Sequence, residues 1–199
     1  NPTGNLTLLD GKFYGMTKYQ SNYHDQAGII YEWDPITDDY ASKAYVGNGN
    51  GNSNGSLTLS GTNFYGMTRY GGISGGGLIF EWNQATNTFT TKIDLSLATG
   101  SNPQGSLTLN GNIFYGMTQL GGSNDAGVIF EWDPVTNIYT KKIDLSTATG
   151  SNPQGSLTLF NGKVYGMTEF GGANDMGVIF EWDPNTNVFT KKIDLSTAI

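Results

Sequence analysis

The chain has 199 residues, 37% of them hydrophobic, which suffices for one sizeable core or a stack of small ones but not for two ordinary domains with a linker. A formal net charge of −7 and a single arginine, Arg69, exclude a grip on nucleic acid and any site built from clustered guanidinium groups. Cysteine is absent, which removes disulfides and thiolate metal sites, and an aromatic content of 13% is too high for a disordered tract despite 29 glycines.

No apolar run approaches the ~18–20 residues needed to cross a bilayer, so membrane insertion is not expected. No basic-then-apolar leader opens the chain, and an exported form would carry its signal outside these residues. Few lysines and many Asn, Thr, Ser and Gly make uncharged, hydrated loops. That composition correlates with secreted bacterial proteins, and the expected location is extracellular or the bacterial cell surface.

In chain order, one pattern occurs four times. Gly4, Gly55, Gly105 and Gly155 mark steps of 51, 50 and 50 residues, a period that belongs to propellers and arrays. The units run approximately 1–51, 52–101, 102–151 and 152–199. The first has drifted furthest, while residues 105–149 and 155–199 share 32 identities in 45. Within the last unit GSLTL (155–159) is a short β-rich run, and Asn161-Gly162 is a turn signal that tolerates positive φ. KVYGMT (163–168) is the second run. A loop from Gly171-Gly172 to Gly177 leads to VIFEWD (178–183). Asp183-Pro184-Asn185-Thr186-Asn187 is another turn, and VFTKKIDL (188–195) is the fourth run.

Each unit therefore predicts four antiparallel strands. β-branched and aromatic residues dominate the runs and glycines interrupt every helical stripe. In VIFEW, Val178, Phe180 and Trp182 point to one face and Ile179 to the other, so a lone sheet could not bury its apolar residues. Face-to-face stacking of successive sheets can. The predicted fold is all-β and β-propeller-type, with four four-stranded blades. Two arrangements stay open: a complete four-bladed ring, or a segment of a larger propeller completed by further repeats or a second chain.

The order GSLTL, NGKVYGMT, Gly-Gly, VIFEWDPNTNVFTKK resembles a kelch-type blade. It is still more similar to the bacterial Gloeo-Verruco (GloVer) tandem repeat, in which a YG-T element precedes Gly-Gly and a hydrophobic strand. Departures are local: Gln20-Ser21 replaces Gly-Gly in the first unit, and Asn83-Gln84 replaces Asp-Pro in the second. The resemblance implies a repetitive region of large secreted or surface-anchored bacterial proteins, with no assigned catalysis.

Trp33, Trp82, Trp132 and Trp182 recur at the third strand. They could stack on sugars, but a fixed place in every unit suits blade-to-blade packing. Met16, Met67, Met117 and Met167 in the YGMT run suit gap filling between sheets, so tryptophans and methionines together form the expected core. Glu32, Glu81, Glu131 and Glu181 each lie in an apolar strand opposite the tryptophan and must be paired, hydrogen-bonded or at a rim. Rotational equivalents have like environments, whereas a catalytic carboxylate pair needs unlike ones.

The individuality lies in the second-to-third loops, 19–28, 70–77, 120–127 and 170–177, which share one side of the blades with the TGSNPQG links. Candidate ligand-binding residues there are Tyr19, Tyr23, His24, Asp25, Tyr70, Asn124, Asp125, Phe170, Asn174 and Asp175. Exposed aromatics and amides suit a glycan or protein partner. Asp125 and Asp175 are weak candidates for Ca²⁺, against the simpler reading that Asn-Asp makes a turn. A single histidine excludes a His-based metal cluster, and no cofactor is implied. No nucleophile–base pairing stands out, a sialidase-like propeller would want several arginines, and a kelch-type copper oxidase needs a cysteine. The expectation is a non-catalytic interaction, adhesion or display module. The alternatives are a purely structural repeat within a larger secreted assembly and an accessory domain of a polysaccharide-degrading enzyme.

Overall fold

The computed structural model describes residues 2–18, 28–46 and 51–197. Sixteen strands and no helix occur among them, in four separate antiparallel sheets of four consecutive strands each. Blade 1 holds β1 (Pro2–Leu9), β2 (Lys12–Thr17), β3 (Gly28–Trp33) and β4 (Tyr40–Val46). Blade 2 holds β5 (Thr58–Ser60), β6 (Asn63–Thr68), β7 (Leu78–Asn83) and β8 (Thr88–Asp94). Blade 3 holds β9 (Thr108–Asn110), β10 (Ile113–Thr118), β11 (Val128–Asp133) and β12 (Ile138–Asp144). Blade 4 holds β13 (Thr158–Phe160), β14 (Lys163–Met167), β15 (Val178–Asp183) and β16 (Val188–Asp194).

Turn chemistry sets these registers. In blade 4, Asn161 and Gly162 both take positive φ, as a tight hairpin between paired strands requires, and Phe160 pairs with Lys163 across it. At the third-to-fourth turn the left-handed position is held by Asp38, Asn87, Asn137 and Asn187 in successive blades. The side-chain oxygen of each accepts the indole N–H of the tryptophan five residues earlier, at 2.9–3.2 Å. One residue thus shapes the turn and satisfies the polar atom of the largest buried side chain.

Every third-to-fourth strand pair also carries a bulge at the same place. In blade 3, Ile129 pairs with Ile143 and Phe130 with Lys141, so Lys142 is the extra residue. Its equivalents are Lys43, Lys92 and Lys192.

The sheets stack through three apolar junctions of the same design. One face of each blade offers Tyr, Met and Ile, and the next blade answers with Phe, Trp and a second aromatic. Between blades 2 and 3 these are Tyr65, Met67 and Ile79 against Phe114, Phe130 and Trp132. The other junctions repeat this, with Val164 in place of the first Phe at the last one. Ring centroids of Tyr14 and Phe64, and of Tyr65 and Phe114, lie 4.7 Å apart, and those of Tyr115 and Trp182 lie 5.2 Å apart. Such pairs add about 0.5–1.5 kcal/mol each beyond the area they bury.

Hydrogen bonds cross each junction near the first strands. Thr7, Thr58 and Thr108 donate their hydroxyls to the carbonyls of Leu57, Leu107 and Leu157 in the following blade, at 2.6–2.7 Å. The chains approach so closely here that a Cβ on Gly55 would sit 2.6 Å from the Gly105 carbonyl carbon.

The stack is an open arc rather than a closed ring. Among the described residues no apolar cluster joins blade 4 to blade 1. Met117 is 3% exposed, whereas Met167, its equivalent in blade 4, is 59% exposed. Met167, expected in the core, is therefore exposed: no blade among the described residues covers its face. Trp33 likewise is only half-buried, with no blade among the described residues packed on its face, while Trp82, Trp132, Trp182, Met67 and Met117 are buried.

Candidate functional site

Two sets of polar residues could carry chemistry: the strand glutamates, and the rim made by the second-to-third loops and the links between blades. The glutamates are all engaged. Each bulge turns its lysine onto the glutamate face, giving Lys43–Glu32 at 3.2 Å, Lys92–Glu81 at 3.2 Å, Lys142–Glu131 at 3.5 Å and Lys192–Glu181 at 3.6 Å. The two end blades add more. Glu32 also meets Lys12 at 3.0 Å and accepts the Tyr14 hydroxyl at 2.8 Å; Glu181 meets Lys163 at 2.6 Å and accepts the Tyr165 hydroxyl at 2.8 Å.

The Lys163 and Tyr165 hydrogen bonds pull the Glu181 carboxyl down to about 2. Burial opposes ionisation of Glu32, but its bonds from Tyr14, Lys12 and Lys43 win and hold it below the ordinary value. Burial, followed by the Glu32 bond and charge, pushes the Tyr14 phenol up to about 12. Glu32 and Glu181 are thus held ionised and neutralised. A general acid would need the reverse shift.

The rim is a braid of backbone hydrogen bonds. The second-to-third loops of blades 2, 3 and 4 close on themselves: Gly77 N–H donates to Gly71, Gly127 to Gly121 and Gly177 to Gly171, all at 3.1 Å. The link that follows a blade then ties that blade's loop to the next one. After blade 2, Asn102 N–H reaches the Gly76 carbonyl at 2.7 Å, Ser101 and Leu120 exchange bonds at 2.8 and 3.0 Å, and Gly122 N–H reaches Leu97 at 2.7 Å. The same ties recur after blade 3, through Asn152, Ser151, Phe170 and Gly172.

This explains the Gly-Gly pair. Gly121 has φ +84°, and a Cβ on it would lie 2.6 Å from the Leu97 carbonyl oxygen; Gly122 has φ +79° and would bring a Cβ within 2.7 Å of a Val128 methyl. In blades 2, 3 and 4 an aspartate at the end of the fourth strand completes the loop. Asp94, Asp144 and Asp194 accept the backbone N–H of Ile73, Ser123 and Ala173 at 2.8–2.9 Å.

Of the candidate ligand-binding residues, Tyr19, Tyr23, His24 and Asp25 lie outside the described residues. Asn124 and Asn174 donate their amides to the Leu145 and Leu195 carbonyls, at 2.8 and 3.0 Å. Asp125 and Asp175 take positive φ, and each uses Oδ1 to accept the N–H of Gly121 or Gly171. These four residues fasten their own loops. No group of three or more metal-ligating side chains occurs among the described residues. Tyr70 is half-buried, with the Arg69 guanidinium 4.9 Å over its ring, and Phe170 is exposed beside the link.

Sequence reasoning missed Ile73 and Leu97, which stand 96% and 66% exposed on this rim. They occupy the places of Ser123 and Thr147 in the following unit, and that departure from the repeat was the available signal.

Stacked four-stranded sheets with interlocked links define a β-propeller-type repeat protein. The chain belongs to the Gloeobacter/Verrucomicrobia repeat family, whose pattern matches residues 1–198. No curated protein matches it. Among solved structures it is similar to TolB from Acinetobacter baumannii (16% identity, TM-score 0.59, over 91% of this chain and 40% of that one). It is also similar to a chain of the nidogen/laminin complex (12%, TM-score 0.59, 90% and 58%). A third is a puromycin-hydrolyzing peptidase from Mycobacterium tuberculosis (10%, TM-score 0.58, 91% and 26%). At such identities the likeness is one of fold alone, and this chain spans less than two thirds of each.

Proposed function

We propose that the chain is a non-catalytic interaction module on the outside of a bacterial cell, and that it binds a protein partner through the loop-and-link rim. One observation carries this reading. The rim backbone is fixed by recurring glycines and hydrogen bonds, while equivalent exposed positions differ in chemistry: Ile73, Ser123 and Ala173 in the loops, Leu97 and Thr147 in the links. A rigid frame with variable exposed side chains is how repeat scaffolds present a binding surface. Bare aliphatic side chains favour a protein over a glycan, because the asparagine amides that would read sugar hydroxyls are engaged within the loops. The nidogen/laminin complex offers an analogy of fold, a similar chain within a protein–protein assembly.

The test immobilises the chain against bacterial envelope and secreted proteins, in parallel with a glycan array. The expected result is one captured protein whose binding falls at least tenfold in the Ile73→Asp, Leu97→Asp double variant with an unchanged melting temperature. Glycan binding with no protein capture would replace the partner class. Turnover of a chromogenic glycoside or peptide, abolished by one carboxylate substitution, would overturn the non-catalytic reading.

A further inference from the structure

We propose that Arg69 binds a carboxylate and that, on the reading of the rim as a protein-binding surface, the partner supplies it from an aspartate or glutamate side chain. The chain has nine lysines and one arginine. Eight of the lysines stand within 4.0 Å of a glutamate or aspartate carboxylate, and Lys18 is engaged as well. Arg69 has no carboxylate within that distance among the described residues. Acidic residues outnumber basic ones by 17 to 10, so a shortage of carboxylates does not explain this.

The repeat shows how the position is closed elsewhere. In blades 3 and 4 the residue after the second strand is met by a glutamine from the link that leads into its own blade. Gln104 donates its amide to Gln119 Oε1 at 2.6 Å, and Gln154 does the same to Glu169. In blade 2 that link carries Asn54, one methylene shorter, and its amide is donated to Gln104 instead. Arg69 Nη2 is left 3.5 Å from Gln119 Oε1, an oxygen that Gln104 already holds, and Arg69 Nε is buried without an acceptor. This guanidinium has lost part of its hydration without gaining acceptors in exchange.

Its position is nonetheless fixed. Arg69 N–H donates to the Asn52 carbonyl at 2.5 Å, and the cation lies 4.9 Å over the Tyr70 ring. A guanidinium held against an aromatic ring keeps its forked edge for a ligand, and two parallel N–H groups match the two oxygens of a carboxylate. One positive charge balances one carboxylate, whereas a phosphate or sulfate calls for more than one cation. Arg69 follows β6, and Ile73 bonds Asp94 at the end of β8 in the same sheet. Two strand spacings, roughly 10 Å, separate β6 from β8. An acidic side chain with an apolar neighbour can therefore meet both, and the charge fixes where on a chain of net charge −7 such a group docks.

A sole arginine gives a single Nε–H cross-peak in a proton–nitrogen correlation spectrum, and that peak is the readout. The blocked peptide acetyl-Leu-Glu-Leu-amide is titrated into the millimolar range, with acetyl-Leu-Gln-Leu-amide and acetate in parallel. The expected result is a cross-peak that the glutamate peptide shifts to saturation and the glutamine peptide leaves in place. Against the protein that the wild-type chain captures, Arg69→Gln should bind at least tenfold more weakly with an unchanged melting temperature, and added salt should narrow the difference. A cross-peak that ignores both peptides, or moves equally with both, overturns the site. A captured protein that Arg69→Gln binds as tightly as the wild type does overturns the partner as the source, and a shift by acetate in that case assigns the site to a free organic acid. A chain that captures no protein refutes the interaction reading, and the peptide titration still decides whether Arg69 takes a carboxylate.

Discussion

Gly116 lies at the centre of β10, beneath the ring of Phe130 on β11, its partner in register. An alanine Cβ at Gly116 would lie 2.8 Å from Phe130 Cε1, with Cζ closer still. That ring is fully buried and packed in a tilted arrangement against Tyr139, with centroids 4.9 Å apart, so it has no room to retreat. Overpacking of this kind costs up to about 3 kcal/mol. Replacing a strand glycine by alanine returns about 0.5–1 kcal/mol. The net expectation for Gly116→Ala is a loss of about 2 kcal/mol, or about 4–8 °C in melting temperature for a chain of this size. Gly15→Ala makes the same change in blade 1, where the Cβ would meet Tyr31 Cζ at 2.6 Å. Tyr31 is only half-buried on an open end face and can swing aside, so only the backbone gain remains and stability is unchanged or slightly higher. Urea unfolding followed by tryptophan fluorescence, with calorimetry alongside, measures both variants. A Gly116→Ala chain within about 0.5 kcal/mol of its parent, or equal losses at both sites, would refute the packing argument.

Trp132→Ala should destabilise by about 3–5 kcal/mol and Trp33→Ala by less than half as much, read from the same unfolding curves. Glu181 should stay ionised at pH 3 by NMR titration. Its carboxyl is depressed to about 2 from an ordinary 4.5, so its stabilisation is complete above the ordinary value and is lost as pH falls through about 2. Glu181→Gln should therefore flatten the acid limb of stability in that window, and an unchanged limb would contradict the pairing with Lys163 and Tyr165. Asp125→Ala should lower stability by about 1 kcal/mol, equally with and without Ca²⁺, because the carboxylate holds the Gly121 N–H. A calcium-dependent rise in wild-type melting temperature that Asp125→Ala abolishes would restore the metal reading.

The period, the four strands per unit and the stacking were legible because glycine spacing, turn residues and two-sided apolar strands each have a local cause. The depth at which Met167 and Trp33 sit was not legible, since burial of a junction residue depends on whether another blade is present rather than on the residue's own motif. Pairing of the glutamates was visible as a requirement but not as a geometry: the bulge that swings Lys142 beside Glu131 leaves no mark in composition or alternation. On the rim, Asn124 and Asp125 look like ligands in sequence because the side-chain oxygens and amides that bind ligands also fasten loops. Only the positions of Leu145 and Gly121 tell the two apart. Ile73 and Leu97 were missed for the opposite reason, since lone aliphatic residues in a loop carry no motif.

Packing on both faces for blades 2 and 3, and on one face for blades 1 and 4, grades resistance along the chain. Local opening follows the apolar area that an element has in contact, so the outer sheets should exchange amide hydrogens and yield to proteases before the inner pair does. Erosion of such a chain proceeds inward, one fifty-residue leaf at a time, and whatever shields its outermost leaves sets its lifetime.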